Sequence, residues 1–132
     1  VTDTEQQPVS QFSLEKLYIK DISFEAPNVP AVFMQETQPE IDIRLDISHS
    51  KLDNGNLFEV VMPVQVTASV AGRTMFHVEV QQAGLFQIQG VPDENMLAVL
   101  EISCPNILLP YAREAVSSIV GKGGFPPLLI NP

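Results

Sequence analysis

Tryptophan is absent from this chain of 132 residues, cysteine occurs once and histidine twice. The single Cys104 excludes an internal disulfide and fits a reducing compartment. His49 and His77 are far apart in sequence, and neither lies near a cysteine or acid cluster at ligand spacing, which argues against a metal site. Basic charge is also scarce: seven Lys and Arg against sixteen Asp and Glu give a formal net charge of −9. Without a basic stripe the chain cannot displace counterions from nucleic acid, and an anionic membrane surface would repel it. A partner guided by charge is therefore basic. It would meet mainly residues 1–92, which hold twelve of the sixteen acids. Long apolar runs are missing too. Val60 to Met62 and Ile107 to Leu109 are far too short to span a bilayer. The polar start, Val1 to Pro8, does not read as a secretory signal, and a first residue other than Met reads as a processed or trimmed start. These absences together predict a cytoplasmic protein.

What is present suffices for one domain over residues 1–132. With 45% hydrophobic and 17% charged residues the chain is too apolar to be disordered, and its length buries about two-thirds of the unfolded surface. Strands are expected over about 9–90. Val9 to Phe24 has Phe12, Leu14, Tyr18, Ile22 and Phe24 at even positions, while Leu17 and Ile19 break the alternation and predict a strand apolar on both faces. Ala26 to Pro39, with three prolines, reads as a long crossing loop centred on Val32, Phe33 and Met34; loops of this length are usually functional. Ile41, Ile43, Leu45 and Ile47 alternate with Asp42, Arg44 and Asp46. Asp53, Asn54 and Gly55 make a turn. Leu57 to Val70 follows with Phe58, Val60, Met62, Val64 and Val66 on one face, and Pro63 marks an edge or a bulge. After Ala71 and Gly72, Phe76, Val78 and Val80 alternate with His77, Glu79 and Gln81, and Gly84 suggests a bulge.

Helices are expected over about 93–121. Asp93 caps the first, which runs through Glu101 with Met96, Leu97 and Leu100 as its buried stripe. Pro105 and Pro110 interrupt the chain, and Pro110 opens a second helix ending near Gly121 with Tyr111, Ala115, Ser118 and Ile119 along one side. Residues 122–132 read as irregular. The fold class is α+β: a four-stranded antiparallel sheet with helices packed on one face. No catalytic constellation emerges. Cys104 lacks a positioned base, the late glycines follow a helix rather than cradle a phosphate, and Asp42 with Asp46 is surface charge on one strand face. An enzyme is not expected, nor a cofactor or a metal in this chain.

Four segments in order resemble the SecB family of protein-export chaperones: Lys20-Asp21-Ile22-Ser23-Phe24-Glu25-Ala26-Pro27-Asn28, then Glu59-Val60-Val61, then Glu79-Val80-Gln81-Gln82-Ala83-Gly84. The last runs from Cys104-Pro105-Asn106-Ile107-Leu108 through Pro110-Tyr111-Ala112-Arg113-Glu114. The resemblance covers about residues 12 to 130. It implies a homotetramer built as a dimer of dimers, a holdase that binds unfolded secretory precursors in apolar grooves, and delivery to the export motor SecA. Zinc is implied only in the basic C-terminal tail of that partner. The family commonly continues into another helix and an acidic tail, so a chain stopping at Pro132 reads as truncated. An aromatic common before the Gln-Pro of the crossing loop is Thr37 here.

By residue, the resemblance implies SecA binding by Asp21, Glu25 and Glu79, together with His77, where the family has an apolar residue. The first three also read as ordinary solubilising surface. Expected client-groove residues are Phe33, Met34, Ile41, Ile43, Leu45, Phe58 and Val60; the strand residues among them also read as plain core. Phe76, Val78, Val80 and Gln82 are expected at the interface between subunits. The alternative function is a module binding one small apolar ligand between sheet and helices.

Overall fold

The computed structural model describes residues 11–52 and 55–128. The expected strand start at Val9, the turn residues Asp53 and Asn54, and residues 129–132 of the terminal segment lie outside them. Five strands form one antiparallel sheet: β1 (Gln11–Glu25), β2 (Glu40–Leu45), β3 (Ser48–Lys51), β4 (Leu57–Val70) and β5 (Arg73–Gln89). The spatial order is β1-β5-β4-β2, and β3 pairs with β4 beyond the end of β2. The sheet is thus four strands wide, with its far edge broken in two.

Two register shifts in β1, between Leu14 and Lys16 and between Ile19 and Asp21, overturn the expectation of a two-faced apolar strand. Each extra residue flips the alternation once. Leu14 therefore pairs with Phe86, Leu17 with Gly84, Ile19 with Gln82, Ile22 with Val80 and Phe24 with Val78, all on the same side. Tyr18, expected among the apolar residues, pairs with Ala83 and lies on the other face. One face of β1 is apolar throughout.

The broken edge has a cause in Pro63. Asp46 N–H donates to the Pro63 carbonyl at 3.1 Å. In a strand the N–H and C=O of one residue point to the same side, so the donor Pro63 lacks is missing towards the edge. There β2 stops at Leu45, opposite Val64, and β3 begins at Ser48, opposite Val61. Pro63 itself pairs with Gln81 in the sheet interior, so it marks a gap in its neighbour rather than an edge of its own strand. Ala71 (φ 52) and Gly72 (φ 75) make the two-residue turn into β5, the conformation that suits the twist of a tight hairpin.

The helical part differs from expectation. Pro92, not Asp93, precedes the first helix, and no side chain caps it. Helix α1 (Asp93–Ala98) passes through a π-helical turn, Val99–Ser103, into α2 (Cys104–Lys122) with right-handed helical backbone at both junctions. The prolines do not split it. Cys104 N–H reaches back five residues to the Val99 carbonyl, and this wide turn sits just before Pro105. Pro110 lies inside α2. A proline there costs about 3 kcal/mol, which the buried stripe Cys104, Leu108, Ala112, Val116 and Val120 offsets at roughly 1.5–3 kcal/mol per large side chain. The stripe anticipated on Tyr111 and Ser118 is displaced: both are exposed, as is Leu97.

Helix α2 packs on β5 and β4. Beneath it lie Phe58, Val60, Met62, Val64, Val66, Phe76, Val78, Val80 and Phe86, buried in one core. The bulge expected at Gly84 is carried by the neighbouring strand: β5 keeps register with β4 there, and the extra residue opposite Leu85 and Phe86 belongs to β1. A Cβ on Gly84 would meet Phe86 at 2.8 Å and Leu108 and Leu14 at 3.0 Å, so the glycine lets helix and strand close together.

Candidate functional site

The outer sheet face carries the acids. Across the β1–β5 ladder Asp21 pairs with Gln81, Ser23 with Glu79 and Glu25 with His77. Glu79 is thus diagonal to both Asp21 and Glu25, at about 7–8 Å by strand geometry. Sequence reasoning placed these three acids on one surface, and the register brings them together. Gln65 Nε2 donates to Glu79 Oε1 at 3.0 Å, and Thr67 Oγ1 lies 2.7 Å from His77 Nδ1. His77 therefore borders the patch with its ring tied to β4. Beside it, Tyr18 donates to Glu59 Oε2 at 2.7 Å and Lys20 to Glu59 Oε1 at 3.1 Å. The Tyr18 hydroxyl, ahead of Lys20, holds the Glu59 carboxyl below the usual carboxylate range against the opposing effect of burial.

The opposite face is apolar and only partly covered by the helix. Along the β2 edge Ile41, Ile43 and Leu45 remain exposed, and so do Phe33 and Met34, the latter 80%. The crossing loop is anchored by Val32, which is buried, and by Asn28 Nδ2 donating to the Thr74 carbonyl at 2.9 Å. The Phe33 ring meets Phe125 in a tilted contact with centroids 5.1 Å apart, and Phe125 meets Phe76 likewise at 5.0 Å. Two adjoining cavities follow this row. One of about 440 Å³ is lined by Phe33, Thr37 and Gly124. The other, about 370 Å³, is lined by Ile41, Phe76 and Leu128, and both share Pro39, Met75, Phe125 and Pro126.

Of the expected groove residues, Phe33 and Ile41 line these cavities, Ile43 and Leu45 are exposed on the same face of β2, and Met34 is exposed on the crossing loop. Phe58 and Val60 are not exposed: the adjacent strands and helix bury them in the protomer's own core. The same correction applies to the expected interface residues. Val78 and Val80 are 0% exposed, Phe76 is buried, and Gln82 donates to the Tyr18 carbonyl of its own chain at 3.1 Å. On the sheet, Phe12, Leu17, Ile19 and Ile22 form an apolar flank of β1 that the helix leaves exposed. Phe125 and Met75 were missed. Phe125, a lone aromatic between Gly124 and Pro126, was the available signal.

Burial pushes the Cys104 thiol up to about 12, which suppresses the thiolate a nucleophile needs. Among the described residues no three His, Cys, Asp or Glu side chains come together as a metal site would require.

The arrangement is an acidic face on one side of the sheet and an apolar groove on the other. A family model described as preprotein translocase subunit SecB matches residues 3–132. The chain belongs to the SecB family. The protein-export protein SecB of Chromobacterium violaceum is 52% identical over 98% of this chain and 86% of its own length. That of Methylobacillus flagellatus is 48% identical over 97% and 80%, and that of Neisseria meningitidis 46% over 97% and 86%. The fold matches a Mycobacterium tuberculosis SecB-like chaperone, solved with a peptide from an antitoxin, at a TM-score of 0.76. The two share 16% identity, with 92% of this chain and 90% of that one covered. SecB proteins are chaperones of preprotein export, and the two unlike faces described above belong to a chain of that kind.

Proposed function

We propose that this chain is a cytoplasmic holdase that binds unfolded secretory precursors along the Phe33–Phe125–Ile41 groove and presents its acidic face to SecA. The observation that carries the reading is the apolar groove, lined from a loop, a strand and the segment after α2, and left open although the core beneath is complete. Such a surface suits many extended chains. Apolar contact contributes roughly 1.5–3 kcal/mol per buried side chain without reading a sequence, and among the described residues no strand pairs with the outer edge of β2, which suits strand addition. Exposed Met34 suits varied clients because its side chain is flexible and polarisable.

Asp21, Glu25 and Glu79 would meet the basic, zinc-bearing tail of SecA, with charge steering the encounter. The zinc belongs to that partner. His77 borders this contact as a polar group held by Thr67 rather than as an apolar one. Assembly is a dimer of dimers, with the β1 flank as the surface joining two copies.

Two variants test the reading together. Phe33→Ser with Ile43→Ser weakens capture of an unfolded precursor and leaves SecA binding intact. Asp21→Lys, Glu25→Lys and Glu79→Lys together abolish binding of the isolated SecA tail and leave client capture intact. Calorimetry with the tail and pull-down of unfolded against folded precursor measure both. Undiminished client binding by the double variant would move the groove elsewhere. A preference for one small compound over unfolded chains would favour a closed-pocket function instead.

A further inference from the structure

A cation stands next to the acidic patch. Lys20 precedes Asp21 in sequence, and the register shift in β1 falls between Ile19 and Asp21, where Lys20 is the extra residue. The outer face holds its ammonium, since its partner Glu59 lies there with Tyr18. An unrestrained lysine at this place would neutralise Asp21, the nearest of the three acids. It does not do so. Its Nζ sits 3.1 Å from Glu59 Oε1, reaching across β5 to β4.

The direction of that reach matters. Glu59 pairs with Leu85, and Leu85 with Lys16, whereas the patch runs the opposite way from Asp21 to Glu25. Glu59 is also the better anchored partner: its side chain is 20% exposed against 43% for Lys20. Its second oxygen accepts the Tyr18 hydroxyl at 2.7 Å.

We propose that Glu59, fixed by Tyr18, is a positioning residue that holds the Lys20 ammonium away from Asp21 and so keeps the acidic face open to a basic partner segment. This rests on the reading of that face as the docking site. The lowered Glu59 pKa agrees with it, because the carboxylate stays ionised throughout the neutral range.

The decisive variant is Glu59→Asp, which keeps the net charge but shortens the reach by one methylene and so loses both partners. Affinity for the isolated, zinc-loaded SecA tail should fall about two- to fivefold, the scale of one exposed ion pair. Adding Lys20→Ala to that variant should restore wild-type affinity, while Lys20→Ala alone should change it less than about twofold. Should Glu59→Asp fail to fold, as judged by circular dichroism, Tyr18→Phe loosens the same carboxylate and should show the same loss and the same rescue. Wild-type affinity in the folded variant overturns the proposal, and so does a loss that Lys20→Ala does not restore. The triple reversal at Asp21, Glu25 and Glu79 separates the two failures. If it binds the tail normally, the docking face is wrong; if it does not bind while Glu59→Asp binds fully, only the positioning role falls.

Discussion

Tyr18 carries a phenol pushed up from 10.0 to about 12, first by burial and then by the hydrogen bond and charge of Glu59. A group whose pKa is raised on folding contributes stability that is complete below the unfolded value. For Tyr18 that contribution is lost as pH rises from about 10 to about 12. In a Tyr111→Phe background Tyr18 is the one remaining tyrosine. Its phenolate absorbance is therefore expected to appear near pH 12, with Glu59→Gln lowering the midpoint part of the way towards 10. A midpoint at 10 in the folded protein would contradict the contact. Glu59 has the opposite sign: its contribution is present above the usual carboxylate value and lost as pH falls through its lowered one. Neither residue's role was legible in the sequence, because Tyr18 shares even numbering with Phe12 and Leu14 and was read as apolar-facing. The patch acids were easier. Glu79 alternates with Val78 and Val80, and regular strands put alternating residues on opposite faces whatever their partners.

Elements were legible where they are regular. From Leu57 to Ala68 strand β4 keeps register with β5 and folds as its pattern dictates, with one extra residue, Met75, near the turn; β1 hides two extra residues that only the pairing with β5 exposes. A periodic pattern with one residue inserted reads as a two-faced strand, since sequence carries no mark of the ladder's register. The helix was misread because proline is a strong local breaker, while a buried stripe and a π turn are tertiary features that override it. Gly84 matters for the close approach of helix and strand, and that role predicts a measurable coupling. Gly84→Ala should destabilise the fold by about 1–3 kcal/mol, because its methyl overpacks against Leu108, Leu14 and Phe86. Leu108→Ala alone should cost about 2–5 kcal/mol. The pair should cost less than the sum, as the added methyl partly fills the space left by the leucine. Denaturant titration of the four proteins measures this, and strict additivity would mean that the two sites do not touch.

Across the whole molecule, apolar surface is divided between a core one protomer completes and flanks it leaves open. The sequence showed more apolar residues than one helical layer could cover, but not which ones remained outside. Phe76, Val78 and Val80 looked like interface because they form a clean stripe; the helix covers that stripe, and the less regular residues of β1 stay exposed. Two charge substitutions separate these alternatives. Val78→Asp buries an uncompensated carboxylate in a site with no exposure. That costs several kcal/mol, of the order of a domain's whole stability, so the fold itself should fail along with any assembly. Ile19 is 44% exposed in the single protomer, and there a carboxylate keeps its water at little cost. Ile19→Asp should therefore leave far-UV circular dichroism and the unfolding midpoint of the protomer nearly unchanged. In a joint between two copies, however, the same carboxylate would be desolvated and set against its symmetry mate. Light scattering at micromolar concentration should then report a mass below that of the unmutated chain. A wild-type mass for Ile19→Asp would remove the β1 flank from the assembly. A folded, dissociated Val78→Asp would return the interface to the stripe beneath the helix.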